Sequence, residues 1–131
     1  MNSMRTKRIW ANFGVGNLER TTEFYTRIGF EHNGASDQLT SFLFGDQKFI
    51  IHFFLNDVLE PAMKGRIVDP TAGNEIIFTL SADSVEDVDR WEESVRQAGG
   101  TIVSEPEEFG QGYYGFVFAD PDGHKFNVFH M

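Results

Sequence analysis

Cysteine is absent from this 131-residue chain, and that one absence removes disulfides, thiolate metal sites and cysteine nucleophiles together. Basic residues are scarce: 11 Lys and Arg stand against 20 Asp and Glu, for a formal charge of −9 at pH 7. A general nucleic-acid binder needs a basic face to neutralise phosphates, so this balance argues against that class. No apolar run approaches the roughly 20 residues that span a bilayer. The longest, Phe49 to Leu55, contains His52. The basic start, Met1 to Arg8, meets Asn12, Gly14, Gly16 and Asn17 before any signal-peptide apolar core develops. The expectation is a soluble cytoplasmic protein with neither membrane nor nucleic acid as partner.

What is abundant is phenylalanine, 14 residues against 6 leucines. Aromatic residues favour strands and fill β cores, and the same rings suit a cavity for a flat or apolar ligand. Composition leaves both open, so the order along the chain has to be read. Ile9 to Val15 has strand character, and Asn17 offers an N-cap to a helix whose Leu18, Thr21, Thr22, Phe24, Tyr25 and Ile28 recur at helical spacing before Gly29. Strand-like stretches follow at Phe30 to Asn33, Thr40 to Phe44 and Phe49 to Leu55. Residues 56–73, with two prolines and two glycines, read as a connection.

The order then repeats. Glu75 to Ser81 reads as a strand, and Ser84 precedes Val85, Val88, Trp91, Val95 and Ala98 at helical spacing, with Asp87 three residues after Ser84 in the manner of a capping box. Gly99-Gly100 stops that helix. Strands are expected at Thr101 to Ser104, Gly115 to Phe118 and Lys125 to Phe129, with a turn at Asp120-Pro121-Asp122-Gly123. The pattern is βαβββ twice, and residues echo it: Phe42-Leu43-Phe44-Gly45-Asp46 answers Phe116-Val117-Phe118-Ala119-Asp120, and Lys48-Phe49 answers Lys125-Phe126. The fold class expected is α+β, one domain over 1–131 with modules at about 7–55 and 74–131. The modules would form a cupped, partly closed mixed sheet around a cavity, with the helices on the outer face.

Paired βαβββ modules, a helix opening Asn17-Leu18-Glu19-Arg20 and running to Phe24-Tyr25, and Ile28-Gly29-Phe30 resemble the vicinal oxygen chelate superfamily. That superfamily holds glyoxalase I, extradiol dioxygenases and bleomycin or fosfomycin resistance proteins. The ending Phe118-Ala119-Asp120-Pro121-Asp122-Gly123-His124-Lys125-Phe126 is the most specific part of the resemblance. The stretch from Asp83 to Gly100 and the Gly110 to Gly115 loop are most similar to its small bacterial glyoxalase-like branch. One fold hosts several chemistries here, so the resemblance speaks to fold more than to reaction.

The resemblance implies a divalent metal held by one side chain from each of four strands. Carried over, those positions fall on Trp10 (with Asn12 on the same face), His52 or Ile50, Glu75 and Asn127. Only His52 and Glu75 are good ligands, so no metal is expected, and any Zn, Ni or Fe would rest on those two. Without metal, His52 and Glu75 are the candidate bases. Each residue has an ordinary reading too: a hydrogen-bonded core histidine for His52, a solvated strand end for Glu75, a buried amide needing partners for Asn127. His124, after a turn glycine, is expected to be exposed. Gly110-Gln111-Gly112-Tyr113-Tyr114-Gly115 reads equally as a flexible connection or as a lid whose tyrosines close on a ligand.

The expected function is binding or sequestration of a small aromatic or cationic compound, with Trp10, Asn12, Ile50, Asn127, Tyr113 and Tyr114 as ligand contacts and catalysis left open. The alternative is a metal-dependent, lactoylglutathione lyase-like enzyme. Unpaired strand edges lead us to expect a homodimer.

Overall fold

The computed structural model describes residues 4–131. Its elements run β1 (Ala11–Val15), α1 (Leu18–Ile28), β2 (Glu31–Ala35), β3 (Leu39–Phe44), β4 (Phe49–Leu55), α2 (Asn56–Met63), β5 (Phe78–Ser81), α3 (Val85–Gln97), β6 (Thr101–Phe109), β7 (Tyr113–Ala119) and β8 (Lys125–His130). The α+β class and the βαβββ repeat are those expected. Each module has its own four-stranded sheet, sheet A in the order β1-β4-β3-β2 and sheet B in the order β5-β8-β7-β6. In each, the first and last strands of the module run parallel and the remaining neighbours antiparallel. Neither sheet closes into a barrel.

Both long helices start where the sequence supplies a cap. The Asn17 side chain accepts from the N–H of Arg20 at 3.0 Å, and that of Ser84 accepts from the N–H of Asp87 at 3.0 Å. Asp87 returns a carboxylate to the N–H of Asp83 at 3.0 Å, one residue before the position a capping box uses. Gly29 takes the left-handed conformation, φ 118°, that ends α1.

Several boundaries differ from the sequence reading: β1 starts at Ala11, so Trp10 lies just before it, and β2 runs on to Ala35. Residues 56–73 are not all connection, because Asn56–Met63 forms α2; its Leu59 is buried, and that packing outweighs the Pro61 that argued for a loop. Glu75 precedes β5 rather than opening it, since pairing with β8 begins only at Phe78, opposite Phe126. β6 runs on to Phe109 through Pro106, which falls where the pairing with β7 slips between Ser104 and Glu107 on this edge strand, so no ladder bond is lost to the missing N–H. Tyr113 and Tyr114 belong to β7, so the expected six-residue loop shrinks to a tight connection.

The helix-bearing faces of the two sheets turn toward each other and share one core. Tyr25 stacks on Phe53 of sheet A with ring centroids 4.7 Å apart and meets Phe126 of sheet B edge-on at 6.0 Å. Phe44 stacks on Phe126 at 5.9 Å, Phe13 meets Phe78 at 5.7 Å, and Phe24 meets Phe118 at 6.3 Å. The phenylalanines counted in the sequence are therefore chiefly core.

A buried polar link joins the modules through the turn after β7. The Tyr25 hydroxyl donates to Asp120 Oδ2 at 2.7 Å, and Asp120 Oδ1 accepts from the N–H groups of Asp122 and His124 at 3.0 and 2.9 Å. His124 Nε2 donates to the Gly14 carbonyl at 2.7 Å, and its ring stacks on Phe13 at 4.1 Å. His124, expected to be exposed, is 6% exposed. The turn that carries it is pressed against module one instead of projecting into water. Burial pushes the Tyr25 hydroxyl well up from its ordinary value, and the Asp120 carboxylate adds to the shift. Burial likewise raises the Asp120 carboxyl, against the opposing pull of His124 and of the Tyr25 hydrogen bond.

Candidate functional site

Strand alternation decides what each sheet offers away from the core. On β4, Ile51 and Phe53 are buried in the core, so Ile50 and His52 project from the opposite, outer face of sheet A. The β3–β4 hairpin pairs Ser41 with His52, and Ser41 Oγ lies 2.9 Å from His52 Nδ1. Asn33 on β2 donates to the same oxygen at 3.1 Å. Three strands thus hold one imidazole in a fixed orientation. Burial lowers the His52 pKa from its ordinary value, which favours the neutral ring, and Nε2 is left over to accept from or donate to a ligand. Trp10 meets the imidazole edge-on at 6.3 Å and Phe54 at 6.0 Å. Trp10 is 49% exposed, leaving apolar ring surface open beside a polar anchor.

The outer face of sheet B has a different character. Phe109, Tyr113 and Phe129 form a triangle of rings with centroids 5.9, 6.1 and 6.0 Å apart. Gly115 sits opposite Phe129, where a Cβ would lie 2.5 Å from the phenylalanine Cβ, so only glycine fits there. Asn127 projects from this face between Thr79 and Val117, its register partners.

Because both inner faces point into one core, the two outer faces look away from each other. The residues expected around one cavity are therefore divided. Trp10, Asn12, Ile50 and His52 come together on sheet A, Asn12 as the register partner of His52, while Asn127 and Tyr113 lie on sheet B. Glu75 lines a cleft of about 320 Å³ with Arg66, Lys125 and Met63, which Asn12 borders from its other side. Tyr114 is turned from Tyr113 by strand parity and donates to Asp89 of α3 at 2.7 Å, a bond that pushes its hydroxyl up to about 12. Between the modules, Phe30, Phe44, Phe49, Phe78, Trp91 and Phe126 border a further cavity of about 430 Å³.

The donors at the metal positions do not fit a divalent ion. The Trp10 indole offers only an N–H, Asn127 one neutral oxygen, and His52 and Glu75 line different surfaces. Among the described residues no three His, Cys, Asp or Glu side chains gather to hold a metal.

Sequence reasoning missed Ser41 and Asn33, which orient His52. A signal for Ser41 existed: with a four-residue turn between Phe44 and Phe49, counting back along the hairpin sets Ser41 opposite His52. Tyr25 and His124 gave no such signal, because their partners lie 95 and 110 residues away.

A family profile described as Glyoxalase/Bleomycin resistance protein/Dioxygenase superfamily matches residues 9–128. Among solved structures, a hypothetical protein from S. aureus is 29% identical, with TM-score 0.86 over 98% of this chain and 96% of that one. A glyoxalase-related enzyme from Fulvimarina pelagi is 17% identical, with TM-score 0.85 over 96% and 89%. A lactoylglutathione lyase from Agrobacterium tumefaciens is 18% identical, with TM-score 0.71 over 96% and 95%. No curated protein matches the sequence. No helix among the described residues is long and apolar enough to cross a membrane.

Proposed function

Since the chain belongs to the Glyoxalase/Bleomycin resistance protein/Dioxygenase superfamily, we propose that it binds and sequesters a small aromatic compound at the outer face of sheet A, in a cup completed by a second copy. The observation that carries this reading is His52, oriented by Ser41 and Asn33 and flanked by the open ring of Trp10. Such a site supplies one directed hydrogen bond and a stacking surface, which suits recognition of a flat molecule. It lacks the ligand set for metal-assisted isomerisation, and that favours binding over lyase chemistry. Glu75 has no part in it, being in the cleft with Arg66 and Lys125.

The second copy enters because each outer face is only half of a cup. Module two leaves Ile77, Val103, Phe109 and Tyr113 exposed at 46, 46, 42 and 37%, apolar surface that would cover the sheet A face of a neighbour. A C2 pair would then have two equivalent sites, each with His52 from one copy and Asn127 from the other.

Two measurements test this reading. Light scattering should give twice the 14.9 kDa chain mass; a clean monomer at micromolar concentration would remove the shared cup. Aromatic ligands should quench Trp10 in a Trp91→Phe background, and His52→Ala should weaken that binding about tenfold, the loss of one hydrogen bond plus packing. Quenching that follows Trp91 instead would move the site to the cavity between the modules.

A further inference from the structure

Resting on the sheet A face as the ligand site, we infer that its ligand is an aromatic anion, whose carboxylate, sulfonate or phosphate is held by Lys7 and Arg8. A cleft of about 710 Å³ runs along this face, lined among others by Lys7, Arg8, Asn33, Leu43, Lys48 and Ile50, with no carboxylate in its lining. It adjoins His52 directly: Ile50 projects from the same face of β4, and Asn33 is bonded to the Ser41 that orients the imidazole.

The charge pattern is what gives the cleft its meaning. Arg20, Arg27, Arg90 and Arg96 each pair with a carboxylate, and Lys48 pairs with Glu31. Lys7 and Arg8 make no ion pair among the described residues. Among the described residues Arg5, Lys64, Arg66 and Lys125 make none either, but Arg66 and Lys125 share their cleft with Glu75, whereas Lys7 and Arg8 stand together in a cleft lined by no carboxylate. Their mutual repulsion is offset by an incoming anion, and a cleft wall of low dielectric strengthens that attraction.

The remaining lining supplies the other half of the ligand. Leu43 and Ile50 are register partners and give an apolar floor, Asn33 gives an uncharged polar contact, and Trp10 and His52 stand beside the cleft on the same side of sheet A. A cationic ligand would meet the two unpaired charges of Lys7 and Arg8 here and is disfavoured. The competing use of Lys7 and Arg8 is contact with acidic residues of a second copy, for example Glu105, Glu107 and Glu108 on the edge strand β6.

Two dyes of similar ring size separate these readings: anilinonaphthalene sulfonate, an anion, and neutral N-phenylnaphthylamine. In the Trp91→Phe background, energy transfer from Trp10 reports binding at this face. The anion should bind about fivefold tighter than the neutral dye, as two exposed charge contacts allow, and high salt should erase the difference. The double substitution Lys7→Gln, Arg8→Gln should abolish the preference and leave the neutral dye unchanged; both residues are exposed, so the fold is not at stake. Equal binding of the dyes, or a preference that survives the substitution, overturns the inference. So does a double variant that becomes monomeric while keeping the preference, since the cations would then serve the interface. If neither dye reaches Trp10, the sheet A face itself is wrong as a ligand site, and the anion inference falls with it.

Discussion

The two modules share one topology and spend it differently. Phe42 and Phe44 on β3 and Phe116 and Phe118 on β7 occupy equivalent places, and all four are 5% exposed or less. Leu43 and Val117 between them project outward on both sheets. Three residues later the equivalence ends. Asp46 is exposed in the β3–β4 turn, whereas its counterpart Asp120 is 2% exposed and bound by the Tyr25 hydroxyl and two backbone N–H groups. Alternation preserves core positions in both copies, but only one of the two turns is pressed against the other module. The outer faces diverge as well: sheet A presents an oriented histidine beside cations, sheet B a triangle of rings.

The largest test of the parallel between modules is in the core. Phe42→Ala and Phe116→Ala should each cost about 3–5 kcal/mol by urea unfolding, since each empties a fully packed ring site. A loss below about 1 kcal/mol at either would break the equivalence.

Next in size is the contrast between the aspartates. Asp120→Ala should cost about 3 kcal/mol, because it strands the buried Tyr25 hydroxyl and two N–H groups, while Asp46→Ala should stay within about 0.5 kcal/mol. Asp120 also has a pH signature. Its carboxyl is raised by burial, so the folded state holds the proton more tightly than the unfolded one. That contribution to stability is full below the ordinary carboxylate pKa and is lost as pH rises through the raised folded value. Relative to Asp120→Asn, the parent protein should therefore lose stability between acid and neutral pH; a constant difference would show that the shift is absent.

The smallest expected effect concerns helix starts. Asn17→Ala and Ser84→Ala each remove one cap bond of 3.0 Å and should each lower stability by about 1 kcal/mol. Unequal losses in thermal unfolding would mark one helix as held by packing rather than by its cap.

The helices α1 and α3, the strand alternation and the βαβββ repeat were all legible in the chain, because each rests on contacts between residues close in sequence. Asn17, Gly29, Ser84 and the paired phenylalanines announce them, and with them the superfamily. Even Ser41 opposite His52 follows from a short hairpin. The tertiary structure alone decided how the modules face. By turning both helix-bearing sides into one core, it kept Asn12 beside His52, sent His52 and Asn127 to different surfaces and set Glu75 in a cleft with Arg66 and Lys125. It also buried His124 and Asp120, which local reading places in a solvated turn. Their partners, Gly14 and Tyr25, lie 110 and 95 residues away, and no periodicity spans that distance. Burial, charge state and shared sites are properties of what two segments bring together, so they exist only once the modules have packed.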